Sequence, residues 1–365
     1  MNEKHLNYFK VENFKRFESF EMGNIGQFNL ILGDNNVGKT SVLEALLFDE
    51  EKAENYITNL TKILEHKNVP VSYANTDVEE NDLLFFTNHN NINPIITTFS
   101  YPHQQIQQLS MTTDTQIALA ERYPTEYAKY FRNKEEIEVG YRMYAYVKAN
   151  DKERFIRWQL PFMRPRDKKV IPLVFFAQTQ DNDLAQFYSD YVQDNQDNKE
   201  KFINALKLFV PDIKDIEPKI KPRQSLLYVR RNGSFMPLSF YGDGVNRLVS
   251  ILLHIPACKG KRLMIDEIDA GVHFKKFKDF WRTILLAAKQ NKVQIFATTH
   301  NLECLQAFKE VLEETEMLDF QQDARCFELL ELPNKEVKSF SYTYEKFANL
   351  INTGTNFRGG NYHHE

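Results

Sequence analysis

Two periodicities share the chain. Phe28-Asn29-Leu30-Ile31-Leu32 reads as a short buried strand, and Val42, Leu43, Leu46 and Leu47 recur at the spacing of one helix face. Leu263-Met264-Ile265 is a second apolar run, closed by two acids. Upstream of it, Leu248, Val249, Ile251, Leu252 and Ile255 share a helical face. Val293-Gln294-Ile295-Phe296-Ala297-Thr298 predicts another strand. The tail predicts a helix over Phe308–Glu316, a strand over Cys326–Leu332 and a helix over Tyr344–Leu350. Between 50 and 169 the pattern weakens to an Asn-rich stretch (Asn88 to Asn93), a helix around Thr115–Phe131 and alternation over Glu136–Trp158. No sustained heptads occur, so no long coiled-coil arm is expected.

Chemistry enters between the first strand and the first helix. Gly33-Asp34-Asn35-Asn36-Val37-Gly38-Lys39-Thr40 fits the phosphate-loop pattern of two spaced glycines followed by Lys and Thr. Gly33 and Gly38 let the backbone curl with its N–H groups inward, and the helix that begins with Lys39, Thr40 and Ser41 adds a positive dipole. Lys39 is expected on the β- and γ-phosphates of a nucleotide, and the Thr40 hydroxyl on Mg²⁺. A glycine-bearing turn before an ordinary helix is the other reading of the octapeptide. The flanking strand and helix favour the nucleotide.

The second half supplies the missing groups. Asp266 and Glu267 end an apolar strand, the Walker B arrangement: Asp266 for Mg²⁺, Glu267 as general base toward water. His300 ends the next predicted strand, 33 residues after Glu267, with one helix between. Gly242-Asp243-Gly244 opens a helix and forms a second candidate anion site. Gly242 and Gly244 are expected to let backbone N–H groups approach a nucleotide closely, with the Asp243 carboxylate turned away toward Arg247.

Composition limits the rest. The 365 residues are 42% hydrophobic and 13% aromatic, which is globular, and glycine is sparse at 13. No apolar run approaches the roughly 18 residues of a membrane span, and no signal core opens the chain, so cytoplasm is expected. Three widely spaced cysteines suggest neither disulfides nor a zinc site. The net charge of −4 does not announce nucleic acid. Local basic clusters (Arg164 to Lys169, Lys221 to Arg231, Lys275 to Lys278) read first as solvated faces.

Together these motifs resemble the ATPase head of the ABC class, in the branch shared by structural-maintenance-of-chromosomes, RecF and OLD (overcoming lysogenization defect) proteins. Tyr8-Phe9-Lys10-Val11-Glu12-Asn13-Phe14-Lys15-Arg16-Phe17 is similar to that branch's first strand, and Gly242-Asp243-Gly244 takes the place of its signature. The usual serine is missing there, with Ser239 as a nearby substitute. Glu267 to His273 resembles its Walker B–D-loop run, His300 its switch histidine, and Phe175-Phe176-Ala177-Gln178, weakly, its Q-loop.

The resemblance implies a P-loop NTPase of α/β class: a mainly parallel central sheet flanked by helices, an antiparallel β lobe and an inserted α/β segment. Residues 1–49 and 170–365 would form the split head, and 50–169 an insertion of unread role. It further implies ATP and Mg²⁺ as cofactors and a homodimer closed through an ATP sandwich, with a higher oligomer left open. A separately encoded effector such as a nuclease, in antiphage defence, is the implied partner. The tail 306–365 is too short for the Toprim nuclease domain of OLD enzymes. A RecF-like DNA-binding repair ATPase is the alternative; a membrane partner is not expected.

Overall fold

The computed structural model describes residues 5–47, 63, 95–100, 103–112, 143–149, 152–158, 172–174, 181–193, 196–220, 225–231 and 233–354. Its centre is a six-stranded sheet with strand order β15-β14-β3-β13-β12-β8. These are β3 (Phe28–Gly33), β8 (Leu173–Val174), β12 (Arg262–Ile265), β13 (Gln294–Thr298), β14 (Ala324–Glu331) and β15 (Val337–Thr343). All pairings are parallel except that of β15, which returns antiparallel along β14. Every residue of β3 and β13 is buried, as expected of central parallel strands covered on both faces.

Helices cover this sheet through apolar stripes. Helix α1 (Lys39–Leu46) follows β3. Helices α2 (Asp181–Tyr188) and α3 (Gln196–Phe209) precede α4 (Asp243–Ala257), and α5 (Phe277–Asn291) joins β12 to β13. In α5, Phe277, Phe280, Trp281, Ile284, Leu285 and Ala288 are buried at three- and four-residue spacing. Lys292 ends it in the left-handed conformation, φ 54°. Trp281 packs on Phe308 of α6 (Leu302–Leu312), with ring centroids 4.7 Å apart, and its indole N–H donates to the Cys304 carbonyl at 3.0 Å. The last helix, α7 (Tyr344–Asn352), follows β15.

A second sheet is antiparallel, with order β2-β1-β4-β5-β6-β7. Here β1 (Tyr8–Phe14) and β2 (Phe17–Gly23) form a hairpin, and β4 (Ile95–Ser100), β5 (His103–Thr112), β6 (Met143–Ala149) and β7 (Lys152–Trp158) extend it. A small third sheet of β9 (Ile213–Ile220), β10 (Ser225–Arg231) and β11 (Ser234–Pro237) leads into α4.

Some of the expectations are corrected. Tyr8 to Phe17 is not one strand: the chain reverses at Lys15-Arg16, with Lys15 at φ 52°, so Phe14 and Phe17 face each other. The strand-like alternation over Glu136–Trp158 is met within it by β6 and β7, a hairpin in which Ala149 pairs with Lys152. The helix expected at Phe308 starts at Leu302, where the Asn301 side chain accepts N–H bonds from Glu303 (2.8 Å) and Cys304 (3.2 Å) and caps it. The helix expected around Thr115–Phe131 and the Phe175–Gln178 run lie outside the described residues. Among the described residues, no helix is long and apolar enough to cross a membrane.

Candidate functional site

The site lies at the carboxyl ends of β3, β12 and β13. β3 stops at Gly33, whose φ of 149° excludes an ordinary side chain. A Cβ there would meet the Leu329 carbonyl oxygen at 2.8 Å. Gly38, at φ 107°, caps α1, and a Cβ on it would meet the Phe17 ring at 2.7 Å. Both glycines are therefore demanded twice, by conformation and by neighbours within the chain. Asp34, Asn35 and Asn36 form the exposed crest and Val37 is buried beneath them. Ser41 is half-buried in the first turn of α1. Arg16, at the tip of the β1–β2 hairpin, fastens the crest by donating to the Asn36 carbonyl while pairing with Glu331.

Lys39 is 9% exposed. Its ammonium donates to the carbonyl oxygens of Gly33 (2.7 Å) and Asp34 (2.8 Å). Burial pushes its pKa down, while Asp266, Glu267 and Asp34 act through space to raise it. A buried cation whose hydrogen bonds go to neutral carbonyls gains most from an added anion.

Opposite Lys39, the Thr40 hydroxyl lies 3.1 Å from both carboxylate oxygens of Asp266. Asp266 is buried at the end of β12 and accepts a 2.8 Å bond from the Thr298 hydroxyl. That hydroxyl in turn accepts the Glu267 N–H at 2.8 Å. Glu267 stands at φ 45°, a left-handed conformation that costs a non-glycine residue roughly 1–2 kcal/mol. Thr299 donates to Asp269 at 2.6 Å, so β13 grips the segment after Walker B twice.

His300, exposed, lines a cavity of about 290 Å³ together with Gly33, Asp34, Asn35 and Thr299. The structure thus brings His300 and the phosphate-loop crest together, as β13 lies between β3 and β12. Gly242, Asp243 and Gly244 do not line that cavity. Gly242 caps α4 facing open space. A Cβ on Gly244, in contrast, would lie 3.0 Å from the Gly271 carbonyl oxygen and 3.3 Å from Val272 Cα. Within the chain, the missing side chain of Gly244 makes room for the Gly271–Val272 backbone. The expected role of Arg247 changes. Its guanidinium donates to the carbonyl oxygens of Asp266 and, at 3.2 Å, Glu267. Burial pushes its pKa down to about 10, against the pull of Asp266, Asp269 and Glu267, so it stays charged at neutral pH. Ser239, the substitute for the signature serine, is exposed.

A family model described as "AAA domain, putative AbiEii toxin, Type IV TA system" matches residues 28–305. The chain belongs to that family. The matched span runs from the start of β3 to α6, and so includes Lys39, Thr40, Asp266, Glu267 and His300. A curated relative from Helicobacter pylori, named ATP/GTP phosphatase, is 23% identical over 353 residues, covering 87% of this chain and 90% of its own. A crystal structure of the SMC head bound to the C-winged helix domain of ScpA superposes with a TM-score of 0.50 at 12% identity. It covers 94% of this chain and 99% of that one. The fold is that of P-loop NTPases of the SMC-head, ABC type.

In this AAA-family chain the donor set suits a hard divalent cation bound partly by others. The Thr40 hydroxyl and the Asp266 carboxylate offer oxygen, as Mg²⁺ prefers. No cluster of three or more His, Cys, Asp or Glu side chains stands among the described residues, so water and phosphate would have to complete the shell. Sequence reasoning overlooked Thr298 and Thr299 as site residues. The signal available was two hydroxyls directly before His300 at the end of a buried strand.

Proposed function

We propose that the protein is an ATP-hydrolysing switch of the OLD-like group, which closes into a two-fold dimer on Mg-ATP and controls a separately encoded effector in bacterial antiphage defence. The chain is an ATPase of the P-loop type. The observation that carries this is the convergence of Lys39, Thr40, Asp266, Glu267 and His300 at the ends of three adjacent strands.

Each group has a task. Lys39 compensates β- and γ-phosphate charge. Thr40 and Asp266 would hold Mg²⁺, which supplies charge neutralisation on the phosphates when bound. Glu267 takes the proton of the attacking water, and His300 orients the γ-phosphate edge of the cavity. Dimerisation is supported by the placement of Gly242: it caps α4 on an exposed surface, available to a second copy's nucleotide. Residues 1–49 and 170–365 form the head in this reading, and 50–169 include β4 to β7, which extend the β1–β2 hairpin outward from β4. The family description, which names a toxin–antitoxin system, supports a bacterial conflict role.

Light scattering of Glu267→Gln protein across a Mg-ATP titration tests the switch. The expected result is a doubling of mass at saturation. A protein that stays monomeric there sinks the dimer reading. Retention of duplex DNA by the ATP-bound form, lost steeply with salt, would favour the RecF-like alternative.

A further inference from the structure

Glu267, read as the general base, stands in a left-handed conformation at φ 45°. Its φ and ψ are set by the two peptide units on either side of its Cα. Both units are held at both ends. On the carbonyl side, the Arg247 guanidinium donates to the oxygens of Asp266 and Glu267. On the amide side, Glu267 N–H goes to the Thr298 hydroxyl at 2.8 Å and Ile268 N–H to the Thr298 carbonyl at 2.9 Å. Two residues from different elements, α4 and β13, therefore clamp one backbone position in the turn that follows β12.

We infer that Arg247 is a positioning residue of the ATPase reaction: by holding both peptide planes around Glu267, it keeps the carboxylate aimed at the γ-phosphate side of the site. The inference rests on the reading of Glu267 as general base and adds to it the group that orients it. Three observations carry it beyond a packing role. Arg247 is 6% exposed, and a buried guanidinium is retained at a desolvation cost that an apolar side chain would avoid. Its guanidinium reaches both carbonyl oxygens that bracket Glu267. It also stands in the first turns of α4, three residues after Gly244, which touches the D-loop backbone. A shift of the signature end of α4 would thus reach Glu267 through one side chain, which links engagement of that end to the geometry of the base.

The test is a double-mutant cycle with Arg247→Lys and Glu267→Gln. Binding of a fluorescent ATP analogue to Arg247→Lys should stay within about threefold of wild type, while kcat falls about 10–100-fold with little change in KM. In the Glu267→Gln background the same substitution should change residual turnover by less than about threefold, because the group it positions is already gone. Full multiplication of the two losses would overturn the inference, as would wild-type kcat in folded Arg247→Lys. Wild-type turnover in Glu267→Gln alone would instead remove the base assignment and this inference with it. If Arg247→Lys does not fold, Arg247→Gln carries the same cycle, since its amide can still donate to one of the carbonyls.

Discussion

Gly244 and Gly271 meet so closely that a Cβ on the first would sit 3.0 Å from the carbonyl oxygen of the second. The signature turn and the D-loop are thus in backbone contact within a single chain. Gly242, two residues earlier, has open space around its Cα. The two glycines should respond differently. Gly244→Val sets a branched side chain against the Gly271 and Val272 backbone and should lower stability by about 1–3 kcal/mol. Gly242→Arg should leave the melting temperature and ATP binding near wild type while preventing the ATP-driven doubling of mass. Thermal melts and light scattering on the two variants check this; a Gly242→Arg protein that still dimerises places the contact elsewhere.

The Thr298 hydroxyl donates to Asp266 and accepts from Glu267 N–H, and Thr298 is fully buried. Thr298→Val keeps the shape and removes both bonds. Leaving these groups unpaired should cost about 1–3 kcal/mol in denaturant unfolding. Turnover should fall further than the loss of folded protein accounts for. Unchanged kcat in this variant would show that the hydroxyl does not help hold the acids.

Lys39→Ala and Glu267→Gln should separate binding from chemistry. The first removes the only buried ammonium at the loop and should abolish ATP binding by calorimetry. The second preserves shape and should bind ATP while losing roughly 10²–10⁴-fold in turnover. ATP hydrolysis at the wild-type rate by Lys39→Ala would show that the nucleotide sits somewhere else.

His5 hydrogen-bonds through Nε2 with the Lys292 carbonyl oxygen at 2.9 Å. Burial holds its pKa below the ordinary 6.5, despite the raising effect of that carbonyl. The unfolded chain therefore takes up a proton at a pH where the folded one does not. Stability from this site is complete above 6.5 and is lost as pH falls from there toward the lower folded pKa. Between about pH 7.5 and about pH 5.5, the wild-type melting temperature should drop more than that of His5→Gln. Equal drops would place the pH sensitivity in other groups.

The parallel core was readable in the sequence because its strands are buried on both faces and so appear as unbroken apolar runs: Phe28 to Leu32, Leu263 to Ile265, Val293 to Ala297. Lys39, Asp266 and His300 follow the ends of those runs, and the one helix between Glu267 and His300 allowed His300 a strand next to that of Asp266. The hairpin reversal at Lys15-Arg16 was hidden because Lys15 itself adopts a positive φ, which a lysine does not advertise. β4 and β5 were missed because Ile95–Ser100 and His103–Thr112 are rich in Thr and Gln, which give little apolar contrast. Arg247 was assigned to Asp243 by proximity in sequence. It donates instead to backbone carbonyls in the turn after β12, reached only through the fold, and a residue list carries no trace of them.

The side-chain amide of Gln294 is 1% exposed at the start of β13. It donates to the carbonyls of Leu6 and Gly26, each at 2.7 Å, and accepts the Leu6 N–H at 3.0 Å. The segment ahead of β1 is therefore zipped to the strand that ends in Thr298 and His300. A protease or a trimmed expression plasmid that removed Leu6 would strand this amide inside the molecule, at roughly 1–3 kcal/mol for the orphaned groups. The damage would surface at the opposite end of the same strand, among the residues that face the nucleotide. Purification tags should be spaced from residue 5 by a flexible linker, and nothing beyond it should be cut.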